Sequence, residues 1–525
     1  MEKEKKNIKD EKKEISEKPK KKNKIGLLIK ILILLLIVTA ITIFAIKIFT
    51  KKADYKDKAT YTTSFFIRNN KGKYALFNEK GKKITDFIYD SANSLINDSA
   101  LVYKEKEGYA VINNKGKKIV PFGEYNYITS YSGLYKVRSD KGYKLLDSKG
   151  KTILDAEDID VSSYGEDYPF IVVTVDNQVK LLSYDAKTIK DFKLDKSAKQ
   201  PTVNHVGEYA TIFYNGENVV FNSRTKKIIT TFKNDVHYCV NTASENGKIL
   251  SLNTCASWFE TVSEKGHILL VKGTVNDLSK KCDSLQIYEN TPICLSSSGE
   301  YFIDINGKNA KVGEKINSRS AFVDSKNYVT RDDKTFKLVF YKNNKKVKTM
   351  DATLSVTGYM NNDMYVLYVD GSYEYYNLDG KKVIKDSFKH ASSFDKNGLA
   401  RVSKDGSTYY LINEKGKKIS DEYNSISLFE KYYQVTNKDA KKGIINKKGK
   451  EIVSPKYKTI NVRIIRDTNY CIAVDESGKY SLYNLDKNKL IKESKDTMTI
   501  NEHYIKVAGK KTSYYTYKDK LIYEE

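Results

Sequence analysis

One phrase returns thirteen times along this chain: an aromatic-rich run, an Asn or Asp, a short basic turn, then a second short apolar run. Its first copy reads Tyr74-Ala75-Leu76-Phe77-Asn78-Glu79-Lys80-Gly81-Lys82-Lys83-Ile84. It recurs as GYAVINNKGKKIV around Asn113, GYKLLDSKGKTIL around Asp147, YEYYNLDGKKVI around Asn377, TYYLINEKGKKI around Asn413 and KKGIINKKGKEIV around Asn446. Degenerate copies centre on Tyr184, Asn222, Val262, Asp304, Lys342, Asn484 and Tyr517. The mean spacing of about 37 residues belongs to repeat architectures, in which a lone unit cannot bury its apolar face and stacked units can.

Each copy reads as strands. In Tyr74 to Asn78 successive side chains alternate between two faces, so Tyr74 and Phe77 point opposite ways. Gly81 supplies the positive φ of a tight turn, and the lysines around it keep that turn in water. A second phrase follows the stronger copies: Tyr89…Ala92, Tyr125…Ile128, Phe388…Ala391, Tyr423…Ile426 and Tyr457…Ile460. A further strand, such as Leu399-Ala400-Arg401-Val402, ends at the Asp405-Gly406 hairpin signal. One period therefore holds about four short strands, and no segment carries a sustained helical apolar stripe. These readings predict an all-β fold, two β-propellers of six to seven four-stranded blades over 61–290 and 291–525. The seam is expected in the least repeat-like stretch, 231–295. The alternative is an open β-solenoid or arc.

The N-terminal part differs in kind. Residues 1–24 hold 11 Lys and 6 acidic residues and almost nothing apolar, the composition of a disordered basic tail. Residues 25–49 read IGLLIKILILLLIVTAITIFAIKIF, with an uncharged centre of 16 residues between Lys30 and Lys47. Both lysines sit at the ends and can snorkel, which extends the span toward the thickness of a bilayer. The apolar run is longer than that of a cleaved signal peptide, so a transmembrane helix is expected. The lysines before it place the N-terminus in the cytoplasm and the bulk outside, beyond a linker at 50–60. The expected localisation is the cell membrane, single-pass.

The copies at 108–125 (GYAVINNKGKKIVPFGEY) and 441–460 (KKGIINKKGKEIVSPKYKTI) resemble the bacterial WG-repeat (KWG) family. Its unit looks like G-x-W-G-[FY]-[IV]-[DN]-x-x-G-[KR]-x-[VI]-[VI]-P-x-[YF]-[DE]. The second copy keeps Gly443, Asn446, Gly449, Pro455 and Tyr457. The signature Trp is replaced by Tyr74 or Tyr109, and the one Trp of the chain is Trp258. The resemblance implies a binding or interaction repeat and carries no catalytic residues over.

Motifs of chemistry are scarce. No nucleophile elbow, phosphate loop, HExxH or dinucleotide glycine pattern occurs. His205, His237, His267, His390 and His503 are each isolated in sequence. Asp304-Ile305-Asn306-Gly307 fails as a calcium loop, because its first ligand position falls on Phe302. An acidic stretch (Asp155, Glu157, Asp158, Asp160, Glu166, Asp167) reads as a solvated loop, with a cation site or docking patch as the sharper alternative. Cys239, Cys255, Cys282 and Cys294 lie close enough for one or two disulfides in three connectivities, or for four buried thiols; Cys471 stands alone.

The formal net charge is +26, of which +19 lies beyond residue 49. A basic outer region attracts polyanions. Its lysines are spread over nearly every turn, which argues against nucleic acid as the partner. The function expected is non-catalytic, binding or scaffolding at the bacterial cell envelope, with an anionic wall polymer or a partner protein on the propeller faces. The alternative is a glycan-processing or other hydrolytic propeller. No enzyme activity, cofactor, metal or catalytic residue is expected.

Overall fold

The computed structural model describes residues 55–175, 178–193, 200–244, 246–255, 266–316, 320–355 and 357–525. The basic tail at 1–24, the apolar segment at 25–49 and Trp258 lie outside the described residues. Among the described residues no helix is long and apolar enough to cross a membrane, and the one helical element is a 3₁₀ turn, Tyr55–Asp57.

Everything else is strand and turn. Asp54–Glu525 forms one compact unit of thirteen sheets in chain order. They span 64–78, 91–120, 128–156, 159–193, 202–233, 238–277, 284–316, 320–350, 353–377, 390–413, 425–457, 459–494 and 497–524, and are called sheets 1 to 13 below; Gly358–Tyr359 lies within the ninth range but pairs in parallel with Ser320–Asp324 of sheet 8. Most are four-stranded antiparallel meanders, in which each strand pairs with the next in sequence. In sheets 1, 9 and 10 the last strand shrinks to isolated bridges, such as Phe77 to Lys83 and Tyr74 to Tyr89. The copy expected at Val262 lies outside the described residues, and the third strand of sheet 6 is His267–Val271. The other twelve copies fall one to a sheet, the aromatic run forming the second strand of sheet 1 and the third strand of the others.

Alternation along that strand determines the packing. In sheet 1, Leu76 and Tyr74 join the core shared with sheet 2, while Ala75 and Phe77 join the core shared with sheet 13. The same two-faced use recurs in each sheet. Val111 faces sheet 3 while Ala110 and Ile112 face sheet 1. Consecutive sheets share an apolar core at every step. The core of Ile249, Leu269, Leu285, Cys294 and Ile303 runs through the stretch 231–295, and the next joins Ile293 and Phe302 to Phe322 and Tyr328. A thirteenth core joins Tyr514 of sheet 13 to Phe65, Ile67, Ala75 and Phe77 of sheet 1. The second phrase also goes to these cores: Tyr89, Phe388, Tyr423 and Tyr457 are each at most 4% exposed.

The third turn has a repeated design. The Asn or Asp side chain accepts two backbone N–H groups of the turn it opens. Asn78 Oδ1 accepts from Lys80 (3.0 Å) and Lys82 (2.9 Å), and Asn446 Oδ1 from Lys448 (2.9 Å) and Lys450 (3.1 Å). Asn113, Asp147 and Asn413 do the same. A short acceptor that reaches its own chain two and four residues on is what this turn needs, so the residue type follows from the geometry. The glycine serves two ends. Gly449 has φ +76°, and a Cβ there would collide with the Ile419 carbonyl oxygen of the preceding sheet. The glycine of one turn therefore packs against the Ile that follows the turn before it. Gly116 meets Ile84, Gly150 meets Ile119, Gly416 meets Ile384, and Gly81 of sheet 1 meets Ile522 of sheet 13.

Candidate functional site

A four-stranded meander puts its first and third turns at one end and its second turn at the other. Backbone bonds tie the two turns of that end together. Asn114 N–H donates to Asp98 O (2.9 Å), Ser223 to Glu208 O (2.8 Å) and Lys272 to Lys248 O (2.7 Å). The glycine-to-isoleucine contacts set consecutive third turns side by side. One edge of the array is therefore lined by third turns.

That edge holds the charge. The third turns, each with its flanking strand residues, are 78–83, 113–118, 146–152, 183–188, 222–227, 271–274, 306–309, 342–345, 377–382, 413–418, 446–451, 484–489 and 515–521. Together they carry 28 Lys or Arg and 8 acidic residues, a net +20, whereas residues 55–525 as a whole carry +18. The first turns, at the same end, carry 5 basic and 11 acidic residues, a net −6, so the edge as a whole carries +14 and the rest of the region +4. Five of the eight acids pair with a cation of another sheet: Asp185 with Lys226 (2.7 Å), Asp379 with Lys342 (2.8 Å), Asp486 with Lys431 (2.8 Å), Asp519 with Lys492 (2.8 Å) and Glu79 with Arg466. A row of like charges on neighbouring turns makes a field that attracts multivalent anions.

Other residues singled out by sequence scatter. The acidic stretch is split: Asp155, Glu157 and Asp158 lie by the link between sheets 3 and 4, while Glu166 and Asp167 lie in the first turn of sheet 4 at the opposite end. Asp155 pairs with Lys144 (3.6 Å) and Asp167 with Lys58 (2.8 Å). His205 sits beside Phe170, His390 lies between Tyr373 and Tyr409, and His267 bonds Asn253 (2.8 Å). Cys239 is bonded to Cys255 and Cys282 to Cys294, leaving Cys471 as a buried thiol whose pKa burial pushes up to about 12. Among the described residues one group of metal-ligand types, His237, Cys239 and Cys255, has its donor atoms within 4.8 Å of one another. Its sulfurs are bonded to each other, and the imidazole nitrogens face Thr202 and Thr211 hydroxyls at 3.1 Å each. Those groups are committed.

Where sheet 13 meets sheet 1, the edge folds inward. Glu79 and Lys80 of sheet 1, Arg466 and Tyr470 of sheet 12, and His503, Tyr517, Lys518 and Lys520 of sheet 13 help to line a cleft of about 500 Å³. Arg466 is one of its lining residues. One guanidinium nitrogen pairs with Glu79; the other donates to Thr62 O (3.0 Å) and to His503 Nδ1 (2.8 Å). The guanidinium also lies over the Tyr61 ring, 5.0 Å from its centroid. Its Nε is buried without a hydrogen-bond partner. Arg466 and Asp467 form a two-residue hairpin turn with φ of +48° and +58°, a conformation that favours Asn and Gly. Sheet 2 uses Asn97-Asp98 at the same place.

Two of the histidines respond to acid. Burial pushes the His237 pKa down to about 4, and burial with the Arg466 charge does the same for His503, from an ordinary 6.5. Between pH 6.5 and 4 the unfolded chain takes up protons that the folded chain refuses, so stability falls as pH drops through that window. The expected loss is on the order of 2–3 kcal/mol per histidine, with no contribution above pH 6.5. Urea midpoints at pH 7.5 and 4.5 check this, and His237→Asn is expected to remove its share of the drop.

A family model for the WG-containing repeat matches residues 109–143, 375–407 and 443–462. Each match begins in the third strand of one sheet and ends in the next sheet, so one repeat supplies both walls of a shared core. No curated protein matches the chain. Among solved structures, a eukaryotic initiation factor aligns at 11% identity over 66% of this chain and 92% of its own, with a TM-score of 0.30. The computationally designed Ika8 protein aligns at 10% over 61% and 95%, TM-score 0.19, and BamB from Moraxella catarrhalis at 9% over 62% and 94%, TM-score 0.24. At such scores these likenesses carry no argument. The family model thus places WG-containing repeats at three stretches of the chain, each laid across a pair of neighbouring sheets.

Proposed function

We propose that this chain is a non-catalytic binding or scaffolding protein of the bacterial cell envelope, whose basic edge holds an anionic wall polymer. Residues 25–49 serve as a single transmembrane anchor, with 1–24 in the cytoplasm and the β-repeat region outside. In this reading the sheets form one propeller-like circuit. The core and the glycine contact between sheets 13 and 1, of the same kind as those between consecutive sheets, favour it over two separate rings.

One observation carries the binding reading: of the +18 on residues 55–525, +14 lies at one edge, where the third turns contribute +20 and the first turns −6. Lysines placed only for solubility need not be segregated to one end of every sheet. The spacing of charge along neighbouring turns suits a flexible polymer with repeating negative groups better than a single small anion. The two disulfides suit an oxidising compartment outside the membrane.

Long-chain polyphosphate is a suitable probe. Binding by the full chain is expected to weaken about tenfold or more between 50 and 300 mM salt, because several phosphate contacts release counterions together. Salt-insensitive binding, or none at 50 mM, rejects the reading.

A further inference from the structure

We propose that the cleft between sheets 1, 12 and 13 binds a phosphate group of a phosphate-bearing chain, and is the place where the basic edge grips its polymer. This rests on the binding reading above and narrows it to one site.

Two features converge there. The first is the donor set. Lys80, Lys518 and Lys520 come from the third turns of sheets 1 and 13, and Arg466 lines the same cleft. Both terminal nitrogens of Arg466 are occupied by Glu79, Thr62 and His503, which fixes the guanidinium plane. Its Nε is buried away from solvent, so the arginine acts on the cleft through its charge rather than through a free donor. An arginine plane with lysines around it matches an acceptor that has several oxygens and more than one negative charge. A phosphate meets that demand; a carboxylate, with two oxygens and one charge, meets less of it. Glu79 is engaged by Arg466, and Glu502 at the margin limits how much negative charge enters.

The second feature is shape. The cleft has room for more than a phosphate ion, and one wall is the pair Tyr470 and Tyr517, ring centroids 4.6 Å apart. That wall offers a surface for the sugar or polyol that joins one phosphate to the next.

The test uses the full chain and two probes, inorganic tripolyphosphate and long-chain polyphosphate, titrated by calorimetry at low salt. One variant is Lys518→Gln with Lys520→Gln. The control is Lys447→Gln with Lys448→Gln, in the equally exposed third turn of sheet 11. Thermal melts verify that each variant folds. The cleft variant is expected to weaken tripolyphosphate about tenfold or more, as loss of charge-assisted bonds implies. The control is expected to leave tripolyphosphate unchanged and to weaken only the long chain. Equal losses in both variants, or no tripolyphosphate binding by the parent, overturn the cleft; salt-sensitive binding of the long chain then still leaves the basic edge standing. Tripolyphosphate binding lost in the cleft variant, with no binding of the long chain, upholds the cleft and removes the edge.

Discussion

Phe77→Ala is expected to destabilise the protein by about 3–5 kcal/mol, as much as truncation of a phenylalanine in the middle of the array. Phe77 is 2% exposed, and its partners come from both ends of the chain: Phe65 (6.3 Å between ring centroids) and Phe87 (6.0 Å) nearby, Tyr523 (6.4 Å) from sheet 13. In an open array of repeats the first and last sheets each keep one solvent-facing side, and truncation there costs little. In a closed circuit every sheet has two covered faces, and the junction costs what any interface costs. Phe302 is the natural comparison. It is fully buried between sheets 7 and 8, with Tyr328 and Phe322 rings at 5.2 and 5.4 Å. Urea denaturation of both variants measures the ratio. A ratio near one supports closure in solution; a silent Phe77→Ala beside a costly Phe302→Ala would show that sheets 1 and 13 part.

Much of this architecture is legible in the sequence, because its parts are local. Alternation along Tyr74 to Phe77 and the Asn-to-Gly spacing of the turn both act over fewer than six residues, and the structure uses both as their chemistry suggests. The glycine has a second reason that no single copy reveals: it faces an isoleucine one repeat away. The junction between sheets 13 and 1 is illegible for a related cause. Tyr514 and Phe77 lie more than four hundred positions apart, and nothing in either copy marks it as a partner of the other. The lysines were visible as scattered turn residues. Only the two-way reversal of each meander gathers third turns at one edge, so charge that is dispersed along the chain is collected in space. Arg466 sits in a degenerate copy whose turn residues look ordinary. Its role appears when Thr62, Glu79 and His503 arrive from other elements.

Loss of the Cys239–Cys255 bond, by Cys239→Ser with Cys255→Ser, is expected to cost about 3 kcal/mol, the loop-closure value for a span of 16 residues. The Cys282–Cys294 bond, over 12 residues, is expected to be worth nearly the same. Both staples fall where the repeat is weakest. Sheet 6 has only Lys272-Gly273 between its third and fourth strands, without the Asn side chain that organises the stronger turns. Cys282 and Cys294 lie in the core shared by sheets 6 and 7. In sheet 6 and at its border with sheet 7, covalent closure thus adds a constraint where local turn chemistry is thin. Thiol counting gives the direct check. The native protein is expected to show no reactive thiol, since Cys471 is buried with its pKa raised. Denaturation without reductant is expected to expose one thiol, and with reductant five. Five thiols without reductant would remove both staples, and with them the argument that sheets 6 and 7 fold in an oxidising compartment.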